Sequence, residues 1–138
     1  MIILSVDLGK ARTGLAICDK DEMLATPLAQ ISEKNPKLLL DKVSSVAFAR
    51  QAELIVVGLP KNMDGTEGEA AKNAREFAAG LKERTKLLVH MQDERGTTIT
   101  AHNYLNATNT RGKKRKNVVD SVAATIILQN YLDSRRPH

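Results

Sequence analysis

Acidic residues stand at three places where the surrounding pattern is apolar. Asp7 closes the run Ile2-Ile3-Leu4-Ser5-Val6, the pair Asp93-Glu94 follows the stretch at residues 86–91, and Asp120 lies among aliphatic residues near the C-terminus. Carboxylates brought together from distant parts of a chain repel and raise one another's pKa, so a convergent set calls for a divalent cation or a shared proton. Hard oxygen donors favour Mg2+ or Mn2+ over zinc. Carboxylates holding one or two such ions hydrolyse phosphodiesters, and Asp7, Glu94 and Asp120 are the candidate metal ligands and catalytic residues. Each has a plainer reading: Asp7 could close a strand before the Gly9 turn, and Glu94 could pair with Arg95 at the surface. With Asn117 as a helix cap, Asp120 would occupy N3, where an acid favours the helix dipole without chemical duty.

Other chemistries find little support. The single cysteine, Cys18, allows neither an intrachain disulfide nor a thiolate zinc site. His90, His102 and His138 show no ligand spacing, no Ser-His-Asp or Cys-His arrangement is legible, and the phosphate-binding pattern Gly-x-x-x-x-Gly-Lys-Ser/Thr is absent. Charge is more informative. The chain carries 21 basic and 16 acidic residues, a net +5, and five of the basic ones are Arg111, Lys113, Lys114, Arg115 and Lys116. Without these five the chain is neutral, so the whole excess sits in one short tract, read here as a loop that meets phosphates. Lys10 and Arg12, just past Asp7, are the other candidate phosphate contacts. Solvated surface charge is the plainer reading of both groups.

The elements that must position these residues follow from periodicity. Residues 2–6 and 54–58 are continuous apolar runs rich in β-branched side chains, the pattern of strands covered on both faces. Residues 14–18 and 24–31 read as two more strands, with Pro27 marking an edge, and the short connections predict an antiparallel meander. Pro36 suits a helix start, and Leu39, Val43, Val46 and Ala47 continue at helical spacing. Thr66 and Glu69 form a capping-box signature ahead of a helix through Ala70, Ala74, Phe77, Ala78 and Leu81. A strand over 86–91, a short helix around 98–106 and a helix from 118 to about 132 complete the pattern. In the last helix Ala123, Ala124, Ile127 and Tyr131 share the face of Asp120, and the two alanines allow close approach to a sheet. The prediction is an α/β fold with a mixed five-stranded sheet and helices on both faces, its reactive crevice beyond the C-terminal ends of the parallel strands.

Length and composition agree with that picture. The 138 residues suffice for one domain spanning 1–138, with 42% hydrophobic and 27% charged residues as in ordinary globular domains. Aromatic content is 3% with no Trp, which argues against stacking platforms as the main way of binding single strands. No apolar run approaches the ~20 residues of a membrane span, and no secretory leader is legible, so a cytoplasmic protein without membrane contact is expected.

With these residues in view the chain resembles a known family. Asp7-Leu8-Gly9-Lys10-Ala11-Arg12-Thr13-Gly14-Leu15-Ala16 is similar to the opening of the YqgF/RuvX proteins, and Val57-Gly58-Leu59-Pro60-Lys61-Asn62-Met63-Asp64-Gly65-Thr66 to their middle motif. Asp93-Glu94-Arg95 with Thr97-Thr98, and residues 116–124, resemble the last two motifs, so the likeness spans nearly the whole chain. Gly96 departs from the apolar residue usual in the family. The resemblance implies an RNase H-like fold and a nuclease that matures the 5′ end of pre-16S rRNA in ribosome biogenesis, on precursor particles, or a Holliday junction resolvase acting on branched DNA. It carries the family's acids onto Asp7, Glu94 and Asp120, with Mg2+ or Mn2+ as cofactor, and places Asp93 less securely. A resolvase needs two sites and a homodimer, whereas a processing nuclease can act as a monomer. Two rivals stay open: a non-catalytic RNA-binding assembly factor using the basic tract, and half of a phosphate-handling kinase or ATPase, since Asp-x-Gly after a first strand also opens actin-like folds.

Overall fold

The computed structural model describes residues 1–94 and 112–135, with 112–121 described by their backbone. Five strands form one sheet: β1 (Ile3–Leu8), β2 (Thr13–Cys18), β3 (Ala25–Ile31), β4 (Leu54–Leu59) and β5 (Leu88–Asp93). Three helices accompany them: α1 (Pro36–Ala49), α2 (Glu69–Thr85) and α3 (Gly112–Arg135). The short helix expected around 98–106 lies outside the described residues.

The strand order is β3-β2-β1-β4-β5. β1 to β3 form the expected antiparallel meander, while β4 and β5 join parallel to β1. Pro27 lies in the edge strand β3, opposite a register shift between Leu15 and Ala16, where its missing N–H costs no central ladder bond. The alternation of β1 divides the core. Leu4 and Val6 face α1 and α2 together with Leu15, Ile55 and Val57. Ile3 faces the other way and packs with Ala16, Leu54 and Val56 against Ala124, Ile127, Leu128, Tyr131 and Leu132 of α3. The predicted inward face of α3 is thus buried as expected.

Local signals decide the helix ends. Asn35 caps α1, its Oδ1 accepting from the backbone N–H groups of Lys37 and Leu38 at 2.9 and 3.3 Å, with Pro36 in the first helical position. The expected capping box at Thr66 and Glu69 does not form. α2 starts after Gly68 without a side-chain cap, because the Thr66 hydroxyl bonds Asp64 and Asn62 instead. α3 corrects a second expectation. Residues 112–116, read as a loop, form its first turns, since Lys and Arg are good helix formers and the one glycine, Gly112, stands at the very start. Asn117 is therefore interior rather than a cap, and Asp120 is no N3 residue.

Candidate active site

β1, β4 and β5 run parallel and end side by side, with Val6 beside Val57 and Leu59 beside Asp93. Alternation puts Ser5 and Asp7 of β1 and Gly58 of β4 on the face covered by α3. The fully buried Ser5 hydroxyl donates to the carbonyl oxygen of Ala124 at 2.7 Å, fixing the height of α3 over β1. Asp7 lies two residues further along β1, and Asp120 one helical turn before Ala124. α3 runs antiparallel to β1, because Ala124 bonds Ser5 while Arg135 at its far end bonds Glu22, which also holds the N-terminal ammonium ahead of β1, so both acids belong to the same end of the sheet.

Glu94 follows the last residue of β5, and its backbone N–H donates to the carbonyl of Leu59 at 3.1 Å. Its carboxyl group turns to the α3 face and lies over Gly58. A Cβ on that glycine would collide with the carboxylate and come within 2.7 Å of Ile127 Cδ1. There Glu94 meets Asp7, and the two carboxyl groups share a hydrogen bond. Burial, followed by the charge of Asp7, pushes the Glu94 carboxyl up to about 8, so it holds a proton at neutral pH. Asp93 sits one residue earlier and so belongs to the opposite face by strand parity, though its charge also raises Glu94.

The structure therefore brings two of the three expected acids into contact, while Asp120 is placed by its backbone. Among the described residues no set of three or more His, Cys, Asp or Glu side chains gathers. Lys10 and Arg12 sit in the β1–β2 connection at the Asp7 end, closed by a 3.1 Å bond from the Gly9 N–H to the Arg12 carbonyl. Lys113, Lys114, Arg115 and Lys116 belong to the first turns of α3; Arg111 lies outside the described residues. His90 bonds the Tyr131 hydroxyl through Nδ1, away from the acid pair. Ser5 and Gly58 position the site without having stood out in the sequence: a serine in an apolar strand and a glycine closing another were the available signals.

A family model described as "RuvX: Holliday junction resolvase" matches residues 1–134. A relative from Clostridium novyi, named "Putative pre-16S rRNA nuclease", is 40% identical over 134 residues, 97% of this chain and 99% of the relative. The chain belongs to the RuvX family of nucleases. Among solved structures, RuvC of Thermus thermophilus in complex with a Holliday junction substrate has a TM-score of 0.63 at 14% identity, covering 98% of this chain and 95% of that one. The fowlpox virus Holliday junction resolvase has a TM-score of 0.59 at 17% identity, with 97% and 99% covered. At these identities the likeness is one of fold, and the architecture is RNase H-like as expected. This RuvX chain has no helix, among the described residues, long and apolar enough to cross a membrane.

Proposed function

We propose that this RuvX protein hydrolyses phosphodiester bonds in the maturation of the 5′ end of pre-16S rRNA, with Asp7, Glu94 and Asp120 as its catalytic acids. The observation that carries this reading is the hydrogen-bonded Asp7–Glu94 pair at the C-terminal ends of parallel strands. The donor set fits Mg2+ or Mn2+: hard carboxylate oxygens, one pair already close enough to share a proton that a divalent cation would displace. Asp7, Glu94 and Asp120 would hold the ion, which when bound supplies an activated water and charge stabilisation for the leaving oxygen.

The remaining work falls to the chain. Asp7, on a central strand fixed on both sides by ladder bonds, is the rigid acid, and Glu94 is the one that must give up a proton before a cation settles. Lys10 and Arg12 flank Asp7 and would take the phosphates on one side. Lys113, Lys114, Arg115 and Lys116 occupy the start of α3, where cations oppose the helix dipole and a phosphate relieves them while meeting the free N–H groups. Arg111 belongs to the same basic tract.

The test is cleavage of a precursor 16S rRNA 5′ end in Mg2+. Asp7→Asn is expected to abolish cleavage while RNA binding persists, and undiminished cleavage by the variant would remove metal catalysis through Asp7. A four-way DNA junction is the second substrate, favoured by the description of the matching family model. Junction cleavage together with a dimeric mass in solution would select it over the RNA.

A further inference from the structure

The two edges of the sheet are built differently. β3 carries Pro27 opposite a register shift, features that keep an edge strand from pairing with a further chain. β5 has neither. Its sequence Leu88-Val89-His90-Met91-Gln92-Asp93 holds no proline and no lysine, its register with β4 is unbroken, and among the described residues it pairs with β4 alone. Leu88 is 60% exposed. Leu87, Val89 and Met91 pack toward α2 but are covered only in part, so the apolar core runs out to this edge without being closed.

α2 borders the same edge. Arg75, Ala78, Ala79 and Lys82 line a groove with Val89 and Met91, which sets Ala79 level with the middle of β5. Glu76 and Glu83 add a stripe along the outer flank of the helix. Glu76, Lys82 and Glu83 are exposed and form no ion pair among the described residues. Arg75 bonds Glu67 through Nε and Nη2 at 2.7 and 2.8 Å and keeps Nη1 for a further carboxylate. Reversed about Ala79, the helix sets Arg75 against Glu83 and Glu76 against Lys82, so two antiparallel copies of α2 match cation to anion along the seam. At its ends Lys72 meets Lys86, a like pair that solvent screens.

We infer that this face binds a second copy of the chain, β5 pairing antiparallel with the partner's β5 while α2 packs antiparallel against the partner's α2. One two-fold axis, perpendicular to the sheet, serves both contacts. On the strands it passes through Val89, so that Val89 meets its own copy, Leu87 faces the partner's Met91 on the helix side, and Leu88 faces the partner's His90 on the other. The spacing agrees. Strands lie ~4.8 Å apart and α2 packs over both β4 and β5, which puts the two helix axes about two strand spacings, or ~10 Å, from each other. Helices pack at that distance, and Ala78 and Ala79 leave room for the approach. The joined sheet has five strands from each chain. Because the axis reverses strand direction and preserves faces, the two Asp7–Glu94 pairs lie on one face of that sheet at opposite ends.

The test is the molar mass of the full chain in solution, by sedimentation over a range of concentrations up to millimolar. A reversible dimer is expected. Lys82→Glu and Glu76→Lys shift the net charge in opposite directions, yet each sets like charges across the seam and is expected to weaken the dimer about tenfold, with most of the affinity recovered when the two are combined. Ala79→Lys puts a charge against its own copy on the axis and is expected to leave the chain monomeric. All three positions are exposed on α2 and the new residues are good helix formers, so circular dichroism should show each variant folded. A parent chain that stays monomeric overturns the inference. So does a dimer that Ala79→Lys leaves intact, or charge reversals that the double variant does not rescue. Cleavage enters none of these readouts, so the dimer stands or falls separately from the nuclease reading.

Discussion

Ser5 of β1 and Ala124 of α3 are joined by a 2.7 Å hydrogen bond across 119 positions of sequence, both fully buried. The bond sets the separation between the strand that carries Asp7 and the helix that carries Asp120. An alanine at 124 lets a helical carbonyl come within reach of a strand hydroxyl, and any larger side chain would hold the helix away from the sheet.

Ala124→Leu is therefore expected to cost about 1–3 kcal/mol by overpacking and to weaken Mg2+ binding further than the stability loss explains. Ser5→Ala, which removes the bond without adding volume, is expected to cost about 0.5–1.5 kcal/mol and to weaken Mg2+ binding less than Ala124→Leu does, because the surrounding apolar packing still holds the helix near the sheet. Thermal unfolding and Mg2+ titration of both variants check the pair. Equal Mg2+ affinities would break the link between helix height and the metal site.

The raised Glu94 carboxyl has a signed consequence for stability. In the metal-free fold Glu94 keeps its proton up to about 8, while in the unfolded chain it loses it near the ordinary 4.5. Between these values the folded state binds the additional proton, so this contribution is complete below about 4.5 and is lost as pH rises through 8. Glu22, Glu33 and Glu67, held down by the N-terminal ammonium, Lys42 and Arg75 respectively, act in the opposite sense below 4.5 and leave that window clear. The Tm of metal-free protein should fall from pH 5 to 8.5, Glu94→Gln should flatten the fall, and Mg2+ should restore stability most at the alkaline end.

Much of this was legible from the residues. The runs at 2–6 and 54–58 could only be buried strands, Pro27 could sit only at an edge, and the apolar face through Ala123, Ala124, Ile127 and Tyr131 announced its own burial. Charged tracts were harder to read. Residues 112–116 have a composition that suits a solvated loop or a helix equally, and here they are helix, which takes Asn117 and Asp120 out of the capping positions expected for them. Thr66 carried a cap signature but serves its own turn, because Asn62 and Asp64 compete for the hydroxyl. The apolar pattern of β5 fades at 91, yet the strand runs to Asp93, since backbone ladder bonds to β4 continue where side-chain alternation no longer shows them. Of the site, the acids stood out by type, but the contact of Glu94 with Asp7 depends on Gly58, whose missing side chain is silent in any hydrophobicity pattern.

Gly58 makes the third prediction. A methyl group there collides with the Glu94 carboxylate and crowds Ile127, so Gly58→Ala should expel Glu94 from its place beside Asp7. The variant is expected to fold, less stably by about 1–3 kcal/mol, to lose Mg2+-dependent cleavage, and to lose the pH dependence of Tm that Glu94 confers. A variant that stays active, with the slope intact, would show that the carboxyl group does not depend on this glycine.

The start of α3 makes the last. Phosphate binding releases counterions, and for single strands each neutralised phosphate adds about 0.7 to the slope of log affinity against log salt. Replacing Lys113, Lys114, Arg115 and Lys116 with glutamine keeps good helix formers in place while removing four charges from the end of the helix that least favours cations. The slope for RNA binding should fall by about 0.7 for every phosphate that is no longer neutralised, KM should rise, and kcat at saturating RNA should change little, because these residues hold phosphates rather than the reacting one. An unchanged slope would reassign the tract to ordinary surface charge. A collapse of kcat at unchanged KM would instead move it into the reaction centre.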